Sequence, residues 1–311
     1  MLVRLYAAMD FGSNAIRGVI AKYSPLGLEI KKKYRFPIRL GHEVFHGEPI
    51  PDGKIQNTIE IIRYFKDICL KEKVQRLVAV GTSALRDASN QQEFLETCYK
   101  TTGLKIHVID GKTEAELIWL GVKNAVHIEN HFCLLMDVGG GSVELSLNYF
   151  DQIISSHSLP WGTLRLLEQL RKKRLQEKDL FWLVREHVEA GMVKCLRHRK
   201  EEKIEFIVGT GGNFTSLLEL AHRLSKKVDS PPILNRRQLY ELINRLESVG
   251  PHKRAKVFDL KKDRADVIVP AAHLLLLAMD LTECNEVIIP QAGLREGVLW
   301  SLVGREKKRW A

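Results

Sequence analysis

The chain has 311 residues and a formal charge of +10, with 45% apolar and 28% charged residues. Its length exceeds one ordinary hydrophobic core, so two domains of roughly 150 residues each are expected. The composition excludes a disordered or fibrous chain, and the positive field favours polyanionic partners: nucleotides, nucleic acid, polyphosphate or acidic lipid surfaces. Cys69, Cys98, Cys133, Cys195 and Cys284 are scattered and lack CxxC spacing, which argues against a zinc site and for reduced thiols in the cytoplasm. The apolar start is too short for a signal peptide. Val267 to Leu281, interrupted by Pro270 and His273, is too short to span a membrane and reads as a buried helix. The basic runs at Arg171 to Arg174, Arg197 to Lys200, Lys261-Lys262 and Lys307 to Arg309 read as solvated helix faces or a tail.

In chain order, an apolar strand runs into Asp10, turns through Gly12, Ser13 and Asn14, and returns over Ile16 to Tyr23. A strand over Leu28 to Arg39 follows, then Gly41 to Gly53, whose Gly and Pro content predicts loop. Ile55, Ile59, Ile62, Phe65, Ile68 and Cys69 recur at helical spacing, predicting a helix over Ile55 to Lys71. Leu77 to Val80 is a short buried strand ending at Gly81-Thr82-Ser83, with a helix from about Gln91. Ile106 to Ile109 is a strand, and a helix opened by Thr113 runs to about Asn124.

The second half repeats this logic. Leu135 and Met136 lead into Asp137, the turn is Gly139-Gly140-Gly141-Ser142, and Val143 to Leu147 returns; the two aspartates lie 127 residues apart. A third strand near Ile153 to Ser158, a turn at Pro160 to Gly162, helices from Thr163 to about Arg199, and strand Glu205 to Val208 follow. That strand ends in Gly209-Thr210-Gly211-Gly212, before a helix from Asn213. A strand over Glu286 to Ile289 precedes an amphipathic stretch, Leu294 to Gly304. The expected domains are 1–124 and 125–294, with 295–311 crossing back onto the first. Strands alternating with helices in two related halves predict paired α/β domains with a ligand between them at the carboxyl ends of the strands.

Small-residue turns let backbone N–H groups converge on an anion, and an Asp at the strand end suits a cation or a polarised water. The two Asp hairpins and the Gly209 turn therefore form a set of three pointing to phosphate. Arg86 could grip a phosphate bidentately, with Thr82 or Ser83 donating to it, or simply open a helix. Glu114 reads either as an ordinary first-turn acid favoured by the helix dipole or as a general base acting on water.

Seven segments in order, Asp10 to Arg17, Gly81 to Asn90, Gly111 to Val122, Asp137 to Glu144, Leu159 to Arg165, Gly209 to Gly212 and Gly293 to Gly297, resemble the motifs of the exopolyphosphatase and guanosine pentaphosphate phosphohydrolase (Ppx/GppA) family. The resemblance covers nearly the whole chain and is closest to the short two-domain form, without the HD-type C-terminal domain of longer members. It implies an α/β fold of two duplicated actin-like (ribonuclease H-like) domains with an interdomain cleft, and magnesium-dependent hydrolysis of terminal phosphoanhydrides. By position Glu114 would be the catalytic acid, with Asp137 and Glu144 orienting metal or water. Ser13, Asn14, Arg86 and the loop Gly139, Gly140, Gly141, Ser142 would hold phosphates. The full candidate phosphate set adds Arg17, Thr82, Ser83, Gly209, Gly211, Gly212 and Arg264, and the candidate metal set is Asp10, Asp137 and Glu144.

Three positions depart from the family pattern: Ala15 for Ser, Asn213 for Thr, and Glu116 for Arg, the last reversing a charge near Glu114. The expected substrate is inorganic polyphosphate, with pppGpp as the alternative. An ATP-dependent kinase of the same superfamily would need an adenosine pocket and an acceptor site. A non-catalytic sensor would not need Glu114, Asp137 and Glu144. A homodimer is compatible with this reading; membrane and nucleic-acid partners are not expected.

Overall fold

The computed structural model describes residues 4–126, 131–199, 202–225, 232–303 and 310. Two units divide the chain: Met1–Val122 with Ala292–Ala311, and Lys123–Gln291. The sequence reading drew these boundaries two or three residues later, after residues 124 and 294.

In the first unit β1 (Arg4–Phe11) and β2 (Ala15–Ser24) form a hairpin in which Asp10 faces Arg17 and Phe11 faces Ile16. β3 (Gly27–Pro37) adds antiparallel to β2. Helix α1 (Gly41–His46) and α2 (Asp52–Lys71) follow, then β4 (Arg76–Gly81), which runs parallel to β1. Short α3 (Ser83–Asp87), α4 (Gln91–Thr102), β5 (Ile106–Val108) and α5 (Gly111–Lys123) complete this stretch, and the strand order is β3-β2-β1-β4-β5. The predicted apolar stripe of α2 is buried at Ile55, Ile59, Ile62, Phe65 and Cys69. Gly18 is what lets α2 approach the sheet, since a Cβ there would lie 2.5 Å from Phe65 Cε2.

The stretch from Gly41 to Gly53 is not all loop as predicted. The Gly41 amide donates to Ser13 O at 2.9 Å and starts α1, and Gly47, at φ 90°, ends it. Glycine here seats and stops a short helix rather than forbidding one. Helix α5 is capped by Asp110, not opened by Thr113: the Thr113 amide donates to Asp110 Oδ1 at 2.8 Å.

The second unit contains β6 (Phe132–Val138), β7 (Val143–Tyr149), β8 (Gln152–Leu159), α6 (Thr163–Lys172), α7 (Leu180–Leu196), β9 (Phe206–Thr210) and α8 (Gly212–Ser225). After these come β10 (Ile233–Asn235), α9 (Arg236–Glu247), α10 (Pro251–Val257), α11 (Ile268–Thr282) and β11 (Glu286–Ile288). The order is β10-β11-β9-β6-β7-β8. Without the added edge strand β10 it reproduces the first sheet strand for strand, β6 to β9 standing for β1 to β4 and β11 for β5. This is the duplicated α/β class expected from the sequence. Strand β10 and helices α9 and α10 were not anticipated, although α9 announces itself with a reciprocal cap between Asn235 and Gln238. Helix α11 is buried nearly all round as predicted, with Pro270 in its first turn, where a missing N–H costs no helical bond.

The chain returns to the first unit with α12 (Leu294–Val303), which packs on β1. It is buried on most sides rather than amphipathic. Its Gly297 sits against α5 so closely that a Cβ would fall 1.7 Å from Leu117 O, and Gly121 reciprocates, its Cβ meeting Gly293 O at 2.4 Å. No helix among the described residues is long and apolar enough to cross a membrane. Lys200, Gly304 and the Lys307 to Arg309 run lie outside the described residues. Arg171 and Lys172 pair with Glu168 and Lys173 with Glu186, as a solvated helix face would.

Candidate active site

In the first unit the turn between β1 and β2 holds Ser13 and Asn14, both buried, beside buried Asp10. The turn is fixed from outside: the Arg39 amide donates to Asn14 O at 3.1 Å and the Gly41 amide to Ser13 O. Thr82, at the end of β4, donates its amide to Phe11 O at 3.4 Å, so the Thr82 to Arg86 segment leaves the sheet next to the turn. The Ser83 hydroxyl donates to Asp87 within α3. Arg86 reaches across to α5, its Nη1 donating to Ile109 O at 2.8 Å and to Glu114 Oε2 at 2.7 Å. Glu114 is 7% exposed; a carboxylate so buried needs an opposite charge, and Arg86 supplies it. The two residues that sequence reasoning placed in separate motifs are thus one pair.

In the second unit the register lines up a polar row across four strands. Ser158 on β8 faces Glu144 on β7, Glu144 faces Asp137 on β6, and Asp137 faces Thr210 on β9. Directly paired residues share one face of a sheet. The Ser158 hydroxyl donates to Glu144 Oε1 at 2.9 Å, and the Thr210 hydroxyl to Asp137 Oδ2 at 2.6 Å. Each carboxylate is therefore oriented by a hydroxyl on its outer flank, with the two acids adjacent in the middle.

The glycine loop begins two residues after Asp137, closed by the Gly139 amide donating to Ser142 O at 3.0 Å. Gly211, at φ 97°, passes so near that a Cβ would lie 3.3 Å from Asp137 Oδ1 and 3.0 Å from Val138 O. Gly209, by contrast, lies inside β9, where it makes room for the Phe214 ring, and Gly212 begins α8. Arg264 is buried and donates to Asn213 Oδ1 at 2.6 Å. The departure at Asn213 thus provides the acceptor that orients a candidate phosphate ligand. Arg17 stands opposite Asp10 on β2.

Magnesium prefers one or two carboxylates completed by water and substrate phosphate oxygens rather than a full protein cage. Asp137 and Glu144 fit that demand: two neighbouring acids, each with a hydroxyl partner. No cluster of three or more His, Cys, Asp or Glu suited to a metal occurs among the described residues. His42-Glu43-Val44-Phe45-His46 has the H-E-x-x-H spacing of a zinc site. Its glutamate is instead taken by Lys54 at 2.5 Å and the helix ends at His46.

Sequence reasoning missed Thr210, Ser158, Gly162 and Arg165 as contributors. Only the register between paired strands reveals the first two. Gly162 and Arg165 lie in the Leu159 to Arg165 motif, to which no role was given.

Residues 19–306 match the model of the Ppx/GppA phosphatase family. An exopolyphosphatase from Cytophaga hutchinsonii is similar in structure, with a TM-score of 0.87 and 24% identity over 96% of this chain and 98% of that one. The Aquifex aeolicus Ppx/GppA family member gives 0.79 and 26% identity, covering 97% and 98%. The type II variant of the Aquifex aeolicus Ppx/GppA phosphatase gives 0.74 and 28%, covering 96% and 99%.

Proposed function

Because the chain belongs to the Ppx/GppA phosphatase family, we propose that it releases the terminal phosphate of inorganic polyphosphate by attack of water on the phosphoanhydride, with pppGpp as the alternative substrate. The observation that carries this reading is the in-register pair Asp137 and Glu144, each hydrogen-bonded by a flanking hydroxyl and followed by a glycine loop. Magnesium held by these two carboxylates would neutralise phosphate charge and polarise the phosphoryl group.

Glu114 is the general base. It accepts the proton of the attacking water, the new P–O bond forms, and the bridging anhydride oxygen leaves with the shortened chain. Arg86, bonded to Glu114 and to Ile109 O, fixes the direction of that carboxylate. Polyphosphate is preferred over pppGpp because a chain of charge +10 attracts each added phosphate, an attraction that salt screens.

The test is phosphate release from long polyphosphate, short polyphosphate, pppGpp and ATP in parallel, with and without Mg²⁺. The reading requires Mg²⁺-dependent release, fastest per enzyme from polyphosphate and slowed by salt. Faster release from pppGpp, insensitive to salt, replaces the substrate and leaves the reaction class standing. No release from any of them removes the reaction class.

A further inference from the structure

Three consecutive carbonyls of the second glycine loop are held by one neighbour. The Thr163 amide donates to Gly139 O at 3.1 Å, the Leu164 amide to Gly140 O at 2.8 Å, and Arg165 Nε to Gly141 O at 2.8 Å. All three donors belong to the first turn of α6, whose leading N–H groups lack partners within the helix. Here they grip the loop.

The consequence follows from peptide geometry. In a trans peptide unit the C=O and the N–H point in opposite directions. The carbonyl of Gly139 shares its unit with the amide of Gly140, that of Gly140 with the amide of Gly141, and that of Gly141 with the amide of Ser142. Drawing the three carbonyls to α6 therefore turns the amides of Gly140, Gly141 and Ser142 away from it. Those amides donate to no acceptor among the described residues. The approach of α6 depends on Gly162, where a Cβ would lie 2.5 Å from both Gly140 C and Ser142 N.

We propose that Arg165, acting with Gly162 and the first turn of α6, is the positioning residue that holds the amides of Gly140, Gly141 and Ser142 toward substrate phosphate. Its guanidinium works through the Gly141 carbonyl and does not itself bind phosphate. This rests on the phosphoanhydride-hydrolase reading above. Lysine cannot replace it, because an ammonium at the end of a longer flexible stem lacks the fixed Nε donor.

The experiment compares wild type with Arg165→Ala and Arg165→Lys. Hydrogen–deuterium exchange of the bonded amides that tie the loop to α6, those of Gly139, Thr163 and Leu164, is measured on the protein alone, and KM and kcat for polyphosphate are measured at several salt concentrations. In both variants loop exchange should quicken and KM should rise about ten-fold, equivalent to about 1.4 kcal/mol, while kcat stays within about three-fold. The salt dependence of KM should match wild type, since no phosphate contact is removed. Gly162→Ala should show the same pattern at least as strongly. A near wild-type KM in Arg165→Lys alongside a defective Arg165→Ala, with a weaker salt dependence, would make Arg165 a direct phosphate ligand and overturn the proposal. So would unchanged loop exchange in Arg165→Ala. The exchange measurement is independent of turnover, so it stands even if the enzyme hydrolyses none of the phosphoanhydrides.

Discussion

Replacing Glu114 by Gln keeps the side chain's length and shape and removes its ability to take a proton. Loss of a general base typically lowers turnover by about 10² to 10⁴-fold, or roughly 2.7 to 5.4 kcal/mol at about 1.36 kcal/mol per decade. The cost to stability is smaller. The 2.7 Å bond from Arg86 becomes one to a neutral acceptor, while Arg86 keeps its bond to Ile109 O and its side chain is 20% exposed. The guanidinium is not stranded, so a loss of about 1 to 2 kcal/mol in unfolding free energy is expected. Phosphate release at saturating substrate and Mg²⁺ measures the first effect, and urea unfolding measures the second. The two magnitudes differ enough to separate a chemical role from a structural one. Turnover within about three-fold of wild type, in a variant that has lost the expected 1 to 2 kcal/mol of stability, would refute the base assignment. Glu114 would then be a partner for Arg86 and nothing more.

Asp137→Asn should raise the Mg²⁺ concentration for half-maximal activity by about ten-fold or more, because a neutral amide is a poorer ligand for a hard cation; an unchanged Mg²⁺ titration would return Asp137 to a turn-forming role. Gly297→Ala should destabilise the first unit by about 3 kcal/mol or more, since its Cβ would stand 1.7 Å from Leu117 O and two helices must part; a calorimetric melting temperature equal to wild type would contradict the helix contact. Asp110→Ala should lower unfolding free energy by about 0.5 to 1 kcal/mol at neutral pH through loss of the α5 cap, a value kept small because the residue is exposed. The Thr113 amide bond holds the Asp110 carboxyl below the ordinary aspartate value. That contribution is therefore present above the unfolded-state value and fades as pH falls through the lower folded one. Urea unfolding at neutral pH and in acid checks it, and an equal deficit at both would count against the cap.

The fold was legible where one segment carries its own signal. The stripe from Ile55 to Cys69, the two Asp hairpins and the buried run of α11 each declare an element from local pattern alone. Helix α1 was not, because Gly41 is used for its close approach to Ser13 and Gly47 for a left-handed stop, roles that local composition does not distinguish from loop. Likewise the site residues inside motifs could be named, but their partners could not. Asp137 meets Thr210 across 73 positions and Arg86 meets Glu114 across 28. Sheet register creates the first of these pairings and the reach of the Arg86 side chain from α3 to α5 the second. Gly209 shows how a Gly-rich run can hide a packing role: it lies in β9 and leaves room for the Phe214 ring.

The duplication explains why two copies of one hairpin need not do the same chemistry. Superposing strand on strand, the row Ser158, Glu144, Asp137, Thr210 corresponds to Arg35, Arg17, Asp10, Val80 in the first unit. The second row carries two carboxylates and no cation, a formal charge of −2. The first carries one carboxylate and two guanidinium groups, a formal charge of +1. Asp10 and Arg17 stand opposite each other in register, so the first row brings a carboxylate and a guanidinium to one sheet face. A divalent cation gains most from the row of charge −2, and a phosphate from the row of charge +1. The same scaffold thus carries a row of formal charge −2 in one copy and of +1 in the other, and the substitutions that separate them are Arg17 for Glu144, Arg35 for Ser158 and Val80 for Thr210.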